Sequence, residues 1–274
     1  MSHASRLPSS LVLVGAGKMG GSMLEGWLKV GVRPEGVTVL DPKPSDEMTR
    51  FCRERGIALN PASPSAPEVL VLAIKPQMLD EAAPALNGSL GPGTLIISIL
   101  AGKTIGDLRS RLPASGAIVR AMPNLPASIG RGATGAAAND TVSEDQRLMA
   151  DALLGSNGIV EWLPSEDLID AVTALSGSGP AYVFHLVECL AEAGAAAGLP
   201  ADLAQRLARA TVTGAGELLF QSDLPPAILR QNVTSPGGTT AAALEVLMRD
   251  PDGLKALMRE AVAAAKRRAE ELAG

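Results

Sequence analysis

LVLVGAGKMGG, residues 11–21, decides the fold. The apolar run from Leu11 to Val14 has the length of a buried strand, and it enters a glycine turn with no polar loop between. Gly15, Gly17 and Gly20 keep the spacing G-x-G-x-x-G, and a helical pattern follows from Lys18. Each glycine has its own task. Gly15 permits the tight turn, Gly17 lets backbone approach a pyrophosphate, and Gly20 lets the helix pack close on the strand. The helix N-terminus then favours the anion. Asp41 ends the next strand, where an acid accepts from the ribose hydroxyls of a dinucleotide. A turn chosen for backbone conformation alone would need neither the strand, the helix nor the acid. Gly15, Ala16, Gly17, Lys18, Met19, Gly20 and Asp41 are therefore the candidate cofactor contacts. Asp41 points to NAD because it repels a 2′-phosphate, whereas Lys43 and Ser45 would serve one, so NAD and NADP both stay open.

Outward from this motif, apolar runs alternate with helical patterns. Strands are expected at 11–15, 37–41, 69–73, 94–99, 117–122, 132–137 and 158–163, and helices at 18–30, 45–55, 77–86, 103–111 and 143–154. That alternation belongs to a parallel sheet wound by crossover helices, an α/β Rossmann-like doubly wound fold. After Pro164 the pattern turns purely helical, which sets the expected domains at 1–164 and 165–274. The helical half is rich in Ala, Gly and Leu on more than one face. Its missing cover is expected from a second subunit.

Composition removes other classes. With 274 residues, 46% hydrophobic and 19% charged, the chain can bury its own core without staples. Aromatics at 2% and a net charge of −5 argue against nucleic acid. Cys52 and Cys189 lie far apart and read as reduced thiols of a cytoplasmic protein. His3 and His185 build no metal constellation, so no metal is expected. The polar residues 1–10 and the short apolar run after them read as neither a targeting segment nor a membrane span.

Three further segments carry polar groups at strand or helix ends. Ala73-Ile74-Lys75-Pro76 closes a strand at the carboxyl edge, where doubly wound sheets bind ligands; Lys75 there is a ligand contact or a solvated lysine before a helix. Asn124, in Arg120-Ala121-Met122-Pro123-Asn124-Leu125-Pro126, suits a nicotinamide amide or an ordinary turn. Ser235-Pro236-Gly237-Gly238-Thr239-Thr240 leads into a helix, and its N–H groups would hold a carboxylate while the hydroxyls meet a substrate heteroatom; an N-cap is the plainer reading. Ser176-Gly177-Ser178-Gly179 is a close-approach segment or a packing corner, and His185 reads as a satisfied core histidine.

In this order, VGAGKMG, AIKP, RAMPNLPA, LSGSGPAY and VTSPGGTTAAAL give a chain that resembles pyrroline-5-carboxylate reductase over nearly its whole length. The resemblance implies hydride transfer from NAD(P)H to the imine carbon of 1-pyrroline-5-carboxylate, giving L-proline. It implies a Rossmann domain and an all-helical dimerisation domain whose helices interleave with a twofold mate, in a decamer built of dimers. By matching position, Gly237, Gly238 and the following N–H groups hold the substrate carboxylate, Thr240 meets the ring nitrogen as the catalytic residue, and Ser235 shapes the loop around Thr239. Lys75, Pro76 and Asn124 match the nicotinamide side. Asp41 departs from the small polar residue of many members. Two rivals share the layout: a hydroxyacid dehydrogenase using a lysine such as Lys75 as base, and a silent dinucleotide-binding module.

Overall fold

The structure is a computed structural model, which describes residues 7–62 and 66–273. His3 lies outside them. Strands β1 (Leu11–Val14), β2 (Val37–Leu40), β3 (Ala58–Leu59), β4 (Val69–Leu72), β5 (Leu95–Ser98), β6 (Ala117–Met122), β7 (Gly132–Ala138) and β8 (Gly158–Trp162) form one sheet in the order β3-β2-β1-β4-β5-β6-β7-β8. Helices α1 (Lys18–Lys29), α2 (Asp46–Arg55), α3 (Leu79–Asn87), α4 (Ile105–Arg111) and α5 (Glu144–Gly155) connect them. The Rossmann-like expectation holds, with two additions. The two-residue β3 carries too little pattern to be read from sequence. The β6–β7 pair is antiparallel within an otherwise parallel sheet. Residues 123–131 join that pair, and a parallel return needs a crossover of about a dozen residues or more, so the chain turns straight back.

Strand alternation builds two cores. Leu11, Leu13, Val69, Val71, Leu95 and Ile97 face one side, where Leu24 and Trp27 of α1, Cys52 of α2 and Leu153 of α5 cover them. Val12, Val14, Leu70, Leu72 and Ile96 face the other, under Leu79, Ala83 and Leu86 of α3 and Leu108 of α4. Each fully buried Leu or Val contributes roughly 1.5–3 kcal/mol relative to exposure. Strands buried on both faces explain why they read as continuous apolar runs.

The chain divides into two compact units, one running to Gly177 and including the end of the chain from Lys266, the other Ser178–Ala265. The all-helical part of the sequence starts before the second unit does. Past β8, the short helix α6 (Ile169–Val172) and a π-turn, Thr173–Gly177, still belong to the sheet unit, where Ile169 and Ala174 are buried. In the second unit α7 (Gly179–Ala196) packs on α8 (Ala201–Gln221), with Gly194 set so close that a Cβ there would stand 3.2 Å from that of Ala204. Then come α9 (Pro226–Asn232), α10 (Thr239–Leu247) and the closing helix α11 (Leu254–Ala273), whose residues from Lys266 on belong to the first unit.

Candidate functional site

In the register of the central strands, Val14 pairs with Leu40 on one side and Leu72 on the other. The next residues, Gly15, Asp41 and Ala73, therefore emerge side by side at the carboxyl ends of β1, β2 and β4. This is the point where the strand order reverses and where doubly wound sheets hold ligands.

Gly15 takes φ +90°, and a Cβ on it would stand 2.8 Å from the Ala73 carbonyl oxygen. A Cβ on Gly20 would run into the carbonyl of Gly15. Gly17 differs: nothing lies within 4 Å of its Cβ position, and it begins α1 with no side-chain cap and no acid in the first turn. The N–H groups there keep their donor capacity and the space before them is open, so these residues fit an anionic pyrophosphate. Lys18 is exposed beside this turn, and Met19 packs partly against the core.

Asp41 is half-buried. Its Oδ2 accepts the Ala16 N–H at 2.9 Å and its Oδ1 the Lys43 N–H at 2.9 Å. Sequence reasoning missed Asn60, which grips the Asp41 backbone on both sides: Asn60 Oδ1 accepts the Asp41 N–H at 2.9 Å, and Asn60 Nδ2 donates to the Asp41 carbonyl at 2.7 Å. A cavity of about 400 Å³ opens beside Asp41, lined by Gly17, Lys18, Lys43, Ser45 and Glu47 among others. Ser45 caps α2 by accepting the Met48 N–H at 3.1 Å.

Lys75 is exposed at the start of a 3₁₀ turn whose first residue is Pro76, and the Ala73 N–H donates to the Val14 carbonyl at 2.8 Å. Asn124 is 8% exposed, and its amide already works within the fold. Its Oδ1 accepts the Ala133 N–H at 2.9 Å, and its Nδ2 donates to the Ser176 carbonyl at 3.0 Å, tying the turn after β6 to the π-turn. Arg120, 4% exposed, pairs with Glu166 at 2.9 Å and Asp170 at 3.5 Å; Glu166 also accepts the Ile105 N–H at 2.8 Å.

In the second unit, Ser235 to Thr240 form one turn. The Gly238 N–H donates to the Ser235 carbonyl at 3.0 Å, and Gly237 takes φ +70°, a left-handed conformation that glycine adopts freely. A Cβ on Gly238 would strike the Ser235 hydroxyl, so position 238 takes a residue without one. Gly238 begins α10 with no side-chain cap and no acid in the first turn. Thr239 is exposed and Thr240 half-buried, and neither hydroxyl has a partner among the described residues. Gly238 is itself the N-cap of this helix, and neither the Ser235 nor a threonine hydroxyl caps it.

His185 is a correction. Its side chain is 74% exposed, with Nδ1 2.9 Å from Glu188 and Nε2 3.6 Å from Cys189, because α7 buries none of its residues within this chain. Among the described residues, no group of three His, Cys, Asp or Glu stands close enough to hold a metal ion, and no helix is long and apolar enough to cross a membrane.

Residues 166–272 match the family described as pyrroline-5-carboxylate reductase dimerisation, and residues 10–102 the coenzyme F420-dependent NADP oxidoreductases. The chain is 43% identical to the pyrroline-5-carboxylate reductase of Synechocystis over 241 residues, 87% of this chain and 88% of that one. Among solved structures it is similar to a pyrroline-5-carboxylate reductase from Coxiella burnetii, with TM-score 0.90 and 36% identity over 97% of this chain and 99% of that one. It is also similar to the Plasmodium falciparum pyrroline carboxylate reductase crystallised with NADP bound, with TM-score 0.75 and 28% identity over 97% and 98%.

Proposed function

This chain belongs to the pyrroline-5-carboxylate reductase family, and we propose that it reduces 1-pyrroline-5-carboxylate to L-proline with NAD(P)H, the last step of proline biosynthesis. The observation that carries this reading is a pair of helix N-termini, α1 and α10. Each is entered through glycine, capped by no side chain and free of acids in its first turn. One suits the pyrophosphate of a dinucleotide, the other the carboxylate of a small substrate.

The reduced nicotinamide, when bound, supplies the hydride. The rest falls to this chain's residues. Gly15, Ala16, Gly17, Lys18, Met19 and Gly20 present the turn to the pyrophosphate, and Asp41 accepts from the ribose. Ala73, Lys75 and Pro76 form the wall after β4. Asn124 serves the nicotinamide side by fixing the turn after β6 rather than by offering a free amide. Gly237, Gly238 and the N–H groups of Thr239 and Thr240 hold the carboxylate, in a loop shaped by Ser235. Thr240 Oγ1 meets the ring nitrogen, orients it and helps hold its proton. A protonated imine is already electrophilic, so positioning lowers much of the barrier and no acid–base dyad is required.

Residues 166–272 carry the family's dimerisation domain. We assign residues 1–164 to dinucleotide binding and 165–274 to substrate binding and dimerisation, with helices interleaved between protomers, a decamer built of dimers and a cytoplasmic place of work. Exposed Phe184, Leu218 and Leu219, at 56, 63 and 50%, support a second copy as their cover.

The test is absorbance at 340 nm with purified chain, 1-pyrroline-5-carboxylate and each cofactor in turn. Cofactor oxidation matched by proline formation is expected. Folded protein that binds a cofactor yet oxidises neither would overturn the reading in favour of a hydroxyacid dehydrogenase or a silent binding module.

A further inference from the structure

The choice between NADH and NADPH turns on what surrounds the adenosine ribose, and here the fold fixes Asp41 firmly. Both carboxylate oxygens hold backbone N–H groups, those of Ala16 and Lys43, which join the end of β2 to the glycine turn. Asn60 holds the Asp41 backbone with two more bonds and donates its own N–H to the Val39 carbonyl at 2.8 Å. Among the described residues Asn60 is the one non-glycine with positive φ, at 49°. Asparagine visits that region more readily than most residues, but the conformation still carries a cost. Here it aims the amide at Asp41.

Each carboxylate oxygen keeps a second lone pair, so Asp41 can accept ribose hydroxyls while it holds the loop. A 2′-phosphate offers no hydroxyl hydrogen at that position and sets like charge against the carboxylate. The rest of the cavity does not compensate: Lys18 and Lys43 face three carboxylates, Glu25, Asp41 and Glu47. The N-terminus of α2, which would suit a phosphate, already carries the Ser45 cap and its own Asp46 and Glu47. That contrasts with the acid-free first turn of α1.

We propose that Asp41, held in place by Asn60, selects the dinucleotide with a free 2′-hydroxyl, so that this chain uses NADH in preference to NADPH. This rests on the reading of the glycine turn as a reduced-dinucleotide site. Asn60 acts as a positioning residue, through Asp41.

The test is direct binding without substrate, titrating the full chain with NADH and with NADPH and following nicotinamide fluorescence. The wild type is expected to bind NADH at least about tenfold more tightly, the size of one missing hydrogen bond with an added repulsion. Asp41→Ser brings the ratio to one or below, chiefly by tightening NADPH. Asn60→Gly keeps the left-handed backbone but removes both side-chain bonds. It narrows the ratio in the wild type and changes nothing further in the Asp41→Ser background, an outcome that a general loosening of the fold would not give. Equal or tighter binding of NADPH by the wild type overturns the proposal, whether or not a variant folds. A ratio unmoved by Asp41→Ser removes Asp41 as the selector, and one unmoved by Asn60→Gly removes Asn60 as its positioner. Binding of neither cofactor overturns the cofactor site as well, whereas selective NADH binding without imine reduction leaves this inference standing and removes the function proposed above.

Discussion

Thr240 is the residue on which the proposed chemistry leans most. It is half-buried in the first turn of α10, and its hydroxyl has no partner among the described residues, so it remains available to a ligand. Thr240→Ala is expected to lower kcat by about 10- to 100-fold, the range that follows from removing one hydrogen bond to the transition state. Steady-state kinetics with 1-pyrroline-5-carboxylate checks this, and unchanged turnover would remove Thr240 from the mechanism. The glycines and Asp41 were legible in the sequence because their spacing along one strand–helix–strand unit is itself the signal. Asn60 and the bonds that Asn124 makes within the fold were not. Asn60 binds a residue nineteen positions away and Asn124 one fifty-two away, and no local pattern announces such a partner.

At the scale of elements, side-chain caps from Ser45, Thr104 and Ser143 mark where α2, α4 and α5 begin. Thr104 opens α4 with a capping box, accepting the Asp107 N–H at 3.0 Å while Asp107 accepts the Thr104 N–H at 3.0 Å. Thr104→Ala is expected to cost about 1 kcal/mol in a urea melt. Burial raises the pKa of Asp107, but the Thr104 N–H and hydroxyl and the Arg111 guanidinium outweigh it and hold the carboxyl below its ordinary value. A lowered folded-state pKa means stability that is fully present above the unfolded value, about 3.9, and lost as pH falls through the folded one. Asp107→Asn should therefore be less stable than wild type at pH 7, with the gap shrinking below about pH 4. A gap that stays constant with pH would show that the charge contributes nothing. Most helix and strand limits were legible to within a residue or two because apolar periodicity runs along the chain. The antiparallel return of β7 was not, since its alanines and glycines carry no period that distinguishes direction.

At the scale of the whole molecule, the second unit cannot complete its own core. α7, α9 and α10 bury none of their residues within the chain, and α8 buries only Ala204 and Ala208. Light scattering on the purified chain is expected to give at least the mass of a dimer; a monomeric mass would overturn the assignment of the exposed Phe184 and Leu218 to a second copy. The sequence by itself determined the alternation of buried strands and covering helices, the glycine turn at the first strand's end and the helical second half, because each is written in neighbouring residues as a period or a spacing. Only the tertiary structure decided the strand order that sets Gly15, Asp41 and Ala73 in one row, the grip of Asn60 on Asp41 and the pairing of buried Arg120 with Glu166. Those pairings join residues far apart in the chain, fixed by which faces the packed sheet brings together.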